Sequence, residues 1–227
     1  MNIASPSAKS QVLSSLFTSY SRPTTNYSSD ARKPKKHVDY REDGLVTSVK
    51  DQHTCGDGGC GGGNSHEVFE FIRDNGGIVE EYLYPYRPGA TVRGTCVTTR
   101  RHVLKGTKVA EVHFRDYPTN ETNEEELKRW VSEHGPVAIA MAWDKGMSDL
   151  GESGIYDNEN CGSGGELDHA VLVIGYGRED DEDRTPYWLL KNSHGETWAN
   201  KGIGKVLRGK GICNIGSYFT YATLEKE

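Results

Sequence analysis

Two helical stretches and a later series of apolar runs organise the chain from Val38 onward. In Asn64–Asp74, Val68, Phe71 and Ile72 recur at helical spacing behind a candidate cap at Asn64, and Asn75-Gly76-Gly77 supplies the stop. Thr122–His134 opens with three glutamates, which suit a helix N-terminus. It carries Leu127, Trp130 and Val131 on one face and ends at Gly135-Pro136. Short apolar runs follow at 137–142, 170–176, 187–191, 202–207 and 218–224, each of strand length. The charged stretch 178–184 separates the second run from the third and reads as the tip of a β-hairpin. Helices first and strands later predict an α+β fold rather than alternating βαβ units.

Residues 1–37 have a different texture. Ser, Thr and Asn dominate, large apolar side chains are few, and six cations up to Lys36 face Asp30 alone. The reading is a disordered basic arm, 1–37, ahead of one domain, 38–227. The run Arg32-Lys33-Pro34-Lys35-Lys36 reads as a solvated linker, with a nuclear address as the alternative. The arm lacks the continuous apolar core of a secretory signal, so the compartment stays open. Asn26-Tyr27-Ser28 and Asn120-Glu121-Thr122 are glycosylation sequons if the chain is exported.

Charge narrows the functional classes. The 227-residue chain carries a net charge of −6, which argues against a nucleic-acid partner. No apolar run reaches membrane-spanning length, so no membrane partner is expected. Glycine, at 27 residues, is clustered and so points to special backbone geometry. Five cysteines stand at 55, 60, 96, 161 and 213. His53, Cys55, Cys60 and His66 superficially suit a zinc site, but the second half lacks paired ligand spacing. A disulfide or free thiols are the preferred readings, with no metal and no cofactor expected.

Taken alone, His169 at the entry to an apolar strand and Asn192 before a turn are ordinary structural residues. Their wording changes this. Val38-Asp39-Tyr40-Arg41, Val46-Thr47-Ser48-Val49-Lys50-Asp51-Gln52 and Gly59-Cys60-Gly61-Gly62-Gly63 resemble consecutive stretches of the papain-like cysteine proteases, the cathepsin family. So do Tyr84-Pro85-Tyr86, Gly135-Pro136-Val137, Asp168-His169-Ala170-Val171, Gly175-Tyr176-Gly177 and Tyr187-Trp188-Leu189-Leu190-Lys191-Asn192-Ser193. The resemblance covers about 38–224 and keeps the family's order.

It implies a two-lobe fold with a helical first lobe and a β-rich, barrel-like second lobe. In that family a cysteine thiolate attacks the peptide carbonyl, a histidine shares its proton, and an asparagine orients the imidazole. The resemblance makes His169 the base, Asn192 the orienting amide and Gln52 the oxyanion donor. It makes Gly62 and Gly63 the glycines that bind extended peptide, and Trp198 the tryptophan that shields the His–Asn pair at the substrate site. It also implies disulfides Cys161–Cys213 and Cys55–Cys60, with Cys96 left over. Peptide or protein substrates and a monomeric state are expected. The family is usually lysosomal or secreted.

One departure stands out. The family's nucleophile motif is Cys-Gly-[Ser/Ala]-Cys-[Trp/Tyr]. Here Cys55-Gly56-Asp57 is followed by Gly58 in the nucleophile position and Gly59 in the aromatic one. The nucleophile helix is missing from the sequence, so the helical lobe is incomplete after residue 58. Only 111 residues separate Gly58 from His169, against roughly 130–150 between the family's cysteine and its partners. A glycine carries no nucleophile, and without that helix Val68, Phe71 and Ile72 are expected to lose their packing partner. The expectation is a cysteine-peptidase homologue that is catalytically inactive. The alternatives are an active cysteine endopeptidase with an unusual thiol, for which Cys60 is the candidate, and a non-catalytic module that binds peptides or proteases. A splice or gene-model variant is a further origin for the gap.

Overall fold

The structure is a computed structural model that describes residues 34–52, 63–83, 85, 103–118 and 121–226. Gly58, Cys55, Cys60, Gly62, Cys96 and the sequons at Asn26 and Asn120 lie outside the described residues. The described α-helices and strands are β1 (Val38–Asp39), α1 (Ser65–Asn75), β2 (Val109–Asp116), α2 (Glu124–His134), β3 (Val137–Met141), β4 (Ile155–Tyr156), β5 (His169–Arg178), β6 (Pro186–Lys191), β7 (Ile203–Leu207) and β8 (Tyr218–Leu224). The strands form one sheet in the order β2-β8-β3-β5-β6-β7-β4, with β1 added to β5. The α+β expectation is met.

Both helices begin within two residues of their sequence signals. At α2 the cap is Asn123, whose side chain accepts from Glu126 N–H; at α1 the residue before the helix, Asn64, makes no side-chain cap bond. Leu127, Trp130 and Val131 of α2 are buried against the sheet, in a core with Val137, Ile139, Val173, Trp188 and Phe219. Glu124 points inward from the first turn. Its carboxylate accepts from Trp188 Nε1 at 2.6 Å, Gly209 N at 2.8 Å and Gly211 N at 2.6 Å, which ties α2 to β6 and to the β7–β8 connection.

Three expectations need correction. First, α1 does have a packing partner. Val68 and Ile72, together with Phe69, lie against Val109, Val112, Ala222 and Leu224 of β2 and β8, while Phe71 is only half-buried. The sheet edge thus covers the apolar face of α1. Second, β2 is an eight-residue strand that the apolar runs did not disclose. Its burial pattern is mostly exposed, and it is held by antiparallel pairing to β8. Third, residues 34–37, assigned to the arm, lie along the domain. Lys35 N donates to Ser132 Oγ at 3.1 Å, and Tyr176 Oη donates to Lys35 O at 2.8 Å.

Gly175 shows why a glycine stands mid-strand in β5. A Cβ there would lie 2.1 Å from Val38 O, so β1 can reach its hydrogen-bonding position only against a bare backbone. Cys161 and Cys213 are joined by a disulfide, as the resemblance implies.

Candidate active site

Topology brings the candidate residues to one end of the sheet. His169 is the first residue of β5, opposite Met141, the last of β3. On its other side β5 pairs with β6 up to Leu172↔Lys191, so Asn192, just past β6, falls beside the start of β5. His169 Nε2 lies 2.8 Å from Asn192 Oδ1. The carboxamide oxygen can only accept, so Nε2 carries the proton and Nδ1 is the basic nitrogen of the neutral ring. The same oxygen accepts from Ser193 N at 2.8 Å. Asn192 is 3% exposed and is therefore locked rather than solvated.

Gln52 arrives by a separate route. Asp51 forms an antiparallel bridge with His194, Gln52 N donates to Ser193 O, and Gly195 N donates to Lys50 O. The Ser193 hydroxyl then donates to Gln52 Oε1 at 2.6 Å. Gly195 permits this approach. Its φ is +76°, and a Cβ would lie 2.9 Å from Asp51 Oδ2.

The rings against His169 are not the one expected. Trp143 packs edge-on to His169 with centroids 4.7 Å apart, and His194 lies 5.1 Å away. Trp143 is held by its own backbone, whose N–H donates to Asp168 Oδ1 at 2.7 Å. Trp198, expected to shield the pair directly, sits one layer back. It contacts Trp143 and His194, donates from Nε1 to Met147 O, and packs over Gly204. The correction has a simple cause: in the run Asn192-Ser193-His194-Gly195, the ring two residues after the asparagine curls back over it, and that ring is His194. Asn192 Nδ2 lies 3.1 Å from His194 Nδ1, so the amide donates and the imidazole accepts.

Both imidazoles are biased toward the neutral form. Burial lowers the His169 pKa; the Asn192 bond and Asp168 oppose this, while His194 reinforces it. Burial likewise lowers that of His194, against the attraction of Asp51. Next to Asn192, Lys191 is 5% exposed and its Nζ donates to Thr47 Oγ1 at 3.1 Å. Its burial, with Lys50 nearby, pulls its pKa down to about 8.

The structure therefore brings together His169, Asn192 and Gln52, and places Trp198 behind them. Gly63 is exposed, just before α1. Sequence reasoning missed Trp143, Ser193 and His194 as members of the cluster. His194 was readable from its place two residues after Asn192, whereas nothing in the wording around Trp143 marked it. No metal-binding group of three or more His, Cys, Asp or Glu side chains occurs among the described residues.

This arrangement can be compared with known proteins. Residues 56–223 match the model of the papain family cysteine proteases. Cathepsin L of Sarcophaga peregrina is 34% identical over 83% of this chain and 64% of its own length. Mouse cathepsin K is 30% identical, covering 86% of this chain and 70% of the relative. Among solved structures, the bromelain protease of Ananas comosus, in complex with the E64 inhibitor, superposes with a TM-score of 0.69 at 27% identity. That match covers 84% of this chain and all of the bromelain chain. Several further relatives are matched over only about half of their length, the Drosophila melanogaster cathepsin L1 over 48%. With the fold, the order of the motifs and the family match in agreement, this chain belongs to the papain family of cysteine proteases.

Proposed function

We propose that this chain is a papain-family peptidase homologue that accepts extended peptide at the His169–Asn192–Gln52 site and does not hydrolyse it. The observation that carries the reading is Gly58, which stands in the sequence position of the attacking cysteine. The remaining parts support a site of papain type. With Nε2 committed to Asn192, the basic Nδ1 of His169 is the atom suited to take a proton from a nucleophile. The Ser193 bond to Oε1 turns the amide-nitrogen end of Gln52 toward the role of oxyanion donor. Gly62 and Gly63 are the positions proposed to pair with peptide backbone. A base and an oxyanion donor without a nucleophile leave binding and no acyl-enzyme.

The rival reading is a working peptidase in which Cys60 serves as the thiol, acting on the basic Nδ1 of a neutral His169. A panel of fluorogenic peptides spanning different side-chain preferences separates the two. The expected result is turnover no greater than that of a His169→Ala control. Turnover that disappears on Cys60→Ala establishes the rival.

A further inference from the structure

At the other end of β5, about nine residue steps or ~30 Å along the strand from His169, lies a concentration of positive charge. A cavity of about 660 Å³ is lined by Lys35, Lys36, Lys128, Arg178, Arg184 and Arg208, together with Pro34 and His37. The segment before β1, the helix α2, the β5–β6 hairpin and the end of β7 each contribute. Six cations gathered from four separate parts of the chain are unusual in a protein of net charge −6.

Arg208 is the inner member. It is 8% exposed, and its guanidinium lies over the rings of Tyr176 and Trp188 at 5.5 and 5.6 Å. Its Nε–H is buried and has no hydrogen-bond partner among the described residues. A buried, unmatched guanidinium donor is costly unless an anion meets it. Burial, reinforced by Arg178, lowers the Arg208 pKa, while Glu124 and Glu125 act in the opposite sense. Neither glutamate is uncommitted: Glu124 is held by Trp188, Gly209 and Gly211, and Glu125 pairs with Lys128 at 4.0 Å. Arg178 donates to the Arg184 carbonyl, which fixes the hairpin tip beside the cavity. The 33 residues ahead of Pro34 contain Asp30 as their only acid against four cations, so their charge does not neutralise the cavity.

We propose that this cavity binds a small multivalent oxyanion, a ligand carrying clustered phosphate or sulfate esters. Arg208 is its inner donor, and Lys35, Lys36, Arg178 and Arg184 form its mouth. Arginine suits the task because its planar fork pairs with tetrahedral oxyanions through two parallel bonds. The volume is that of a small-molecule site.

The test is calorimetric titration of the full chain at low ionic strength with three probes: pyrophosphate, inositol hexakisphosphate and a fully sulfated disaccharide. Saturable one-to-one binding of at least one probe, weakened at least tenfold by raising salt to 0.5 M, is expected, because salt screens such contacts. Arg178→Ala with Arg184→Ala, and separately Lys35→Gln with Lys36→Gln, should each weaken binding tenfold or more. The second pair leaves the hairpin intact, so a folding defect in the first does not decide the matter. Binding of the phosphate probes alone assigns a phosphate ester, and binding of the disaccharide alone a sulfate ester. Absence of saturable binding to all three at millimolar concentration overturns the proposal. So does binding that neither double substitution alters.

Discussion

Asn192 holds His169 with one end of its carboxamide and His194 with the other: Oδ1 is 2.8 Å from His169 Nε2, and Nδ2 is 3.1 Å from His194 Nδ1. One buried amide therefore sets the tautomers of two imidazoles. Asn192→Ala should release both and leave Ser193 N–H without its acceptor. The expected loss is about 1–3 kcal/mol of stability, the cost of unsatisfied buried polar groups. Chemical denaturation measures it, and nitrogen-15 shifts of the imidazoles should show His169 changing from a single Nε2-protonated form to a mixture. An unchanged tautomer would show that other contacts hold the ring.

Trp143 is the cover over this pair. Because desolvation is the largest influence lowering the His169 pKa, removing the cover should raise it. Trp143→Ala is expected to move the His169 titration upward toward the usual 6.5, read by NMR. Trp198→Phe, which changes a ring one layer back, should move it less. The reverse ranking would restore Trp198 as the shield.

Stability should depend on pH through three histidines, two at this site and His134 at the end of α2. His134, His169 and His194 all have pKa values below 6.5 in the folded protein, with burial the leading cause in each. Below 6.5 the unfolded chain then binds more protons than the folded one. The stabilising contribution of the neutral rings is complete above 6.5 and is lost as pH falls through the folded values. Thermal unfolding between pH 7.5 and 5 should show a falling melting temperature, with a shallower fall in the His194→Asn variant.

The Cys161–Cys213 bridge closes a sequence separation of 52 residues and anchors the β4–β5 connection to the turn before β8. Removing it by the paired change Cys161→Ser and Cys213→Ser should cost about 2–5 kcal/mol. A reducing agent should lower the melting temperature of the native chain by more than that of the double variant.

The second half of the fold was legible because its strands are buried and apolar; Val171–Tyr176 and Tyr187–Leu190 show no exposed position. Strand β2 was hidden for the opposite reason. Glu111, Arg115 and Asp116 are exposed on a strand that, among the described residues, pairs only with β8, so its residues do not alternate in the way that marks a half-buried strand. The glutamates opening α2 read as helix-dipole partners, and only the tertiary structure reveals that Glu124 turns inward to three N–H donors. The His169–Asn192 pair was legible because hairpin pairing places the ends of β5 and β6 together. The rings around it were not, since Trp143 reaches His169 through a backbone bond to Asp168 that no sequence spacing encodes.

The proposed function rests on a site with a base and an oxyanion donor but no attacking thiol. It is tested most directly by intact-mass analysis of the purified chain after exposure to an epoxide-type thiol probe at neutral pH, beside the Cys60→Ala and His169→Ala variants. The expected result is no His169-dependent mass increase, with any slow labelling equal in the native chain and in His169→Ala. Rapid addition of a single probe that both substitutions abolish would contradict it and identify Cys60 as an activated nucleophile.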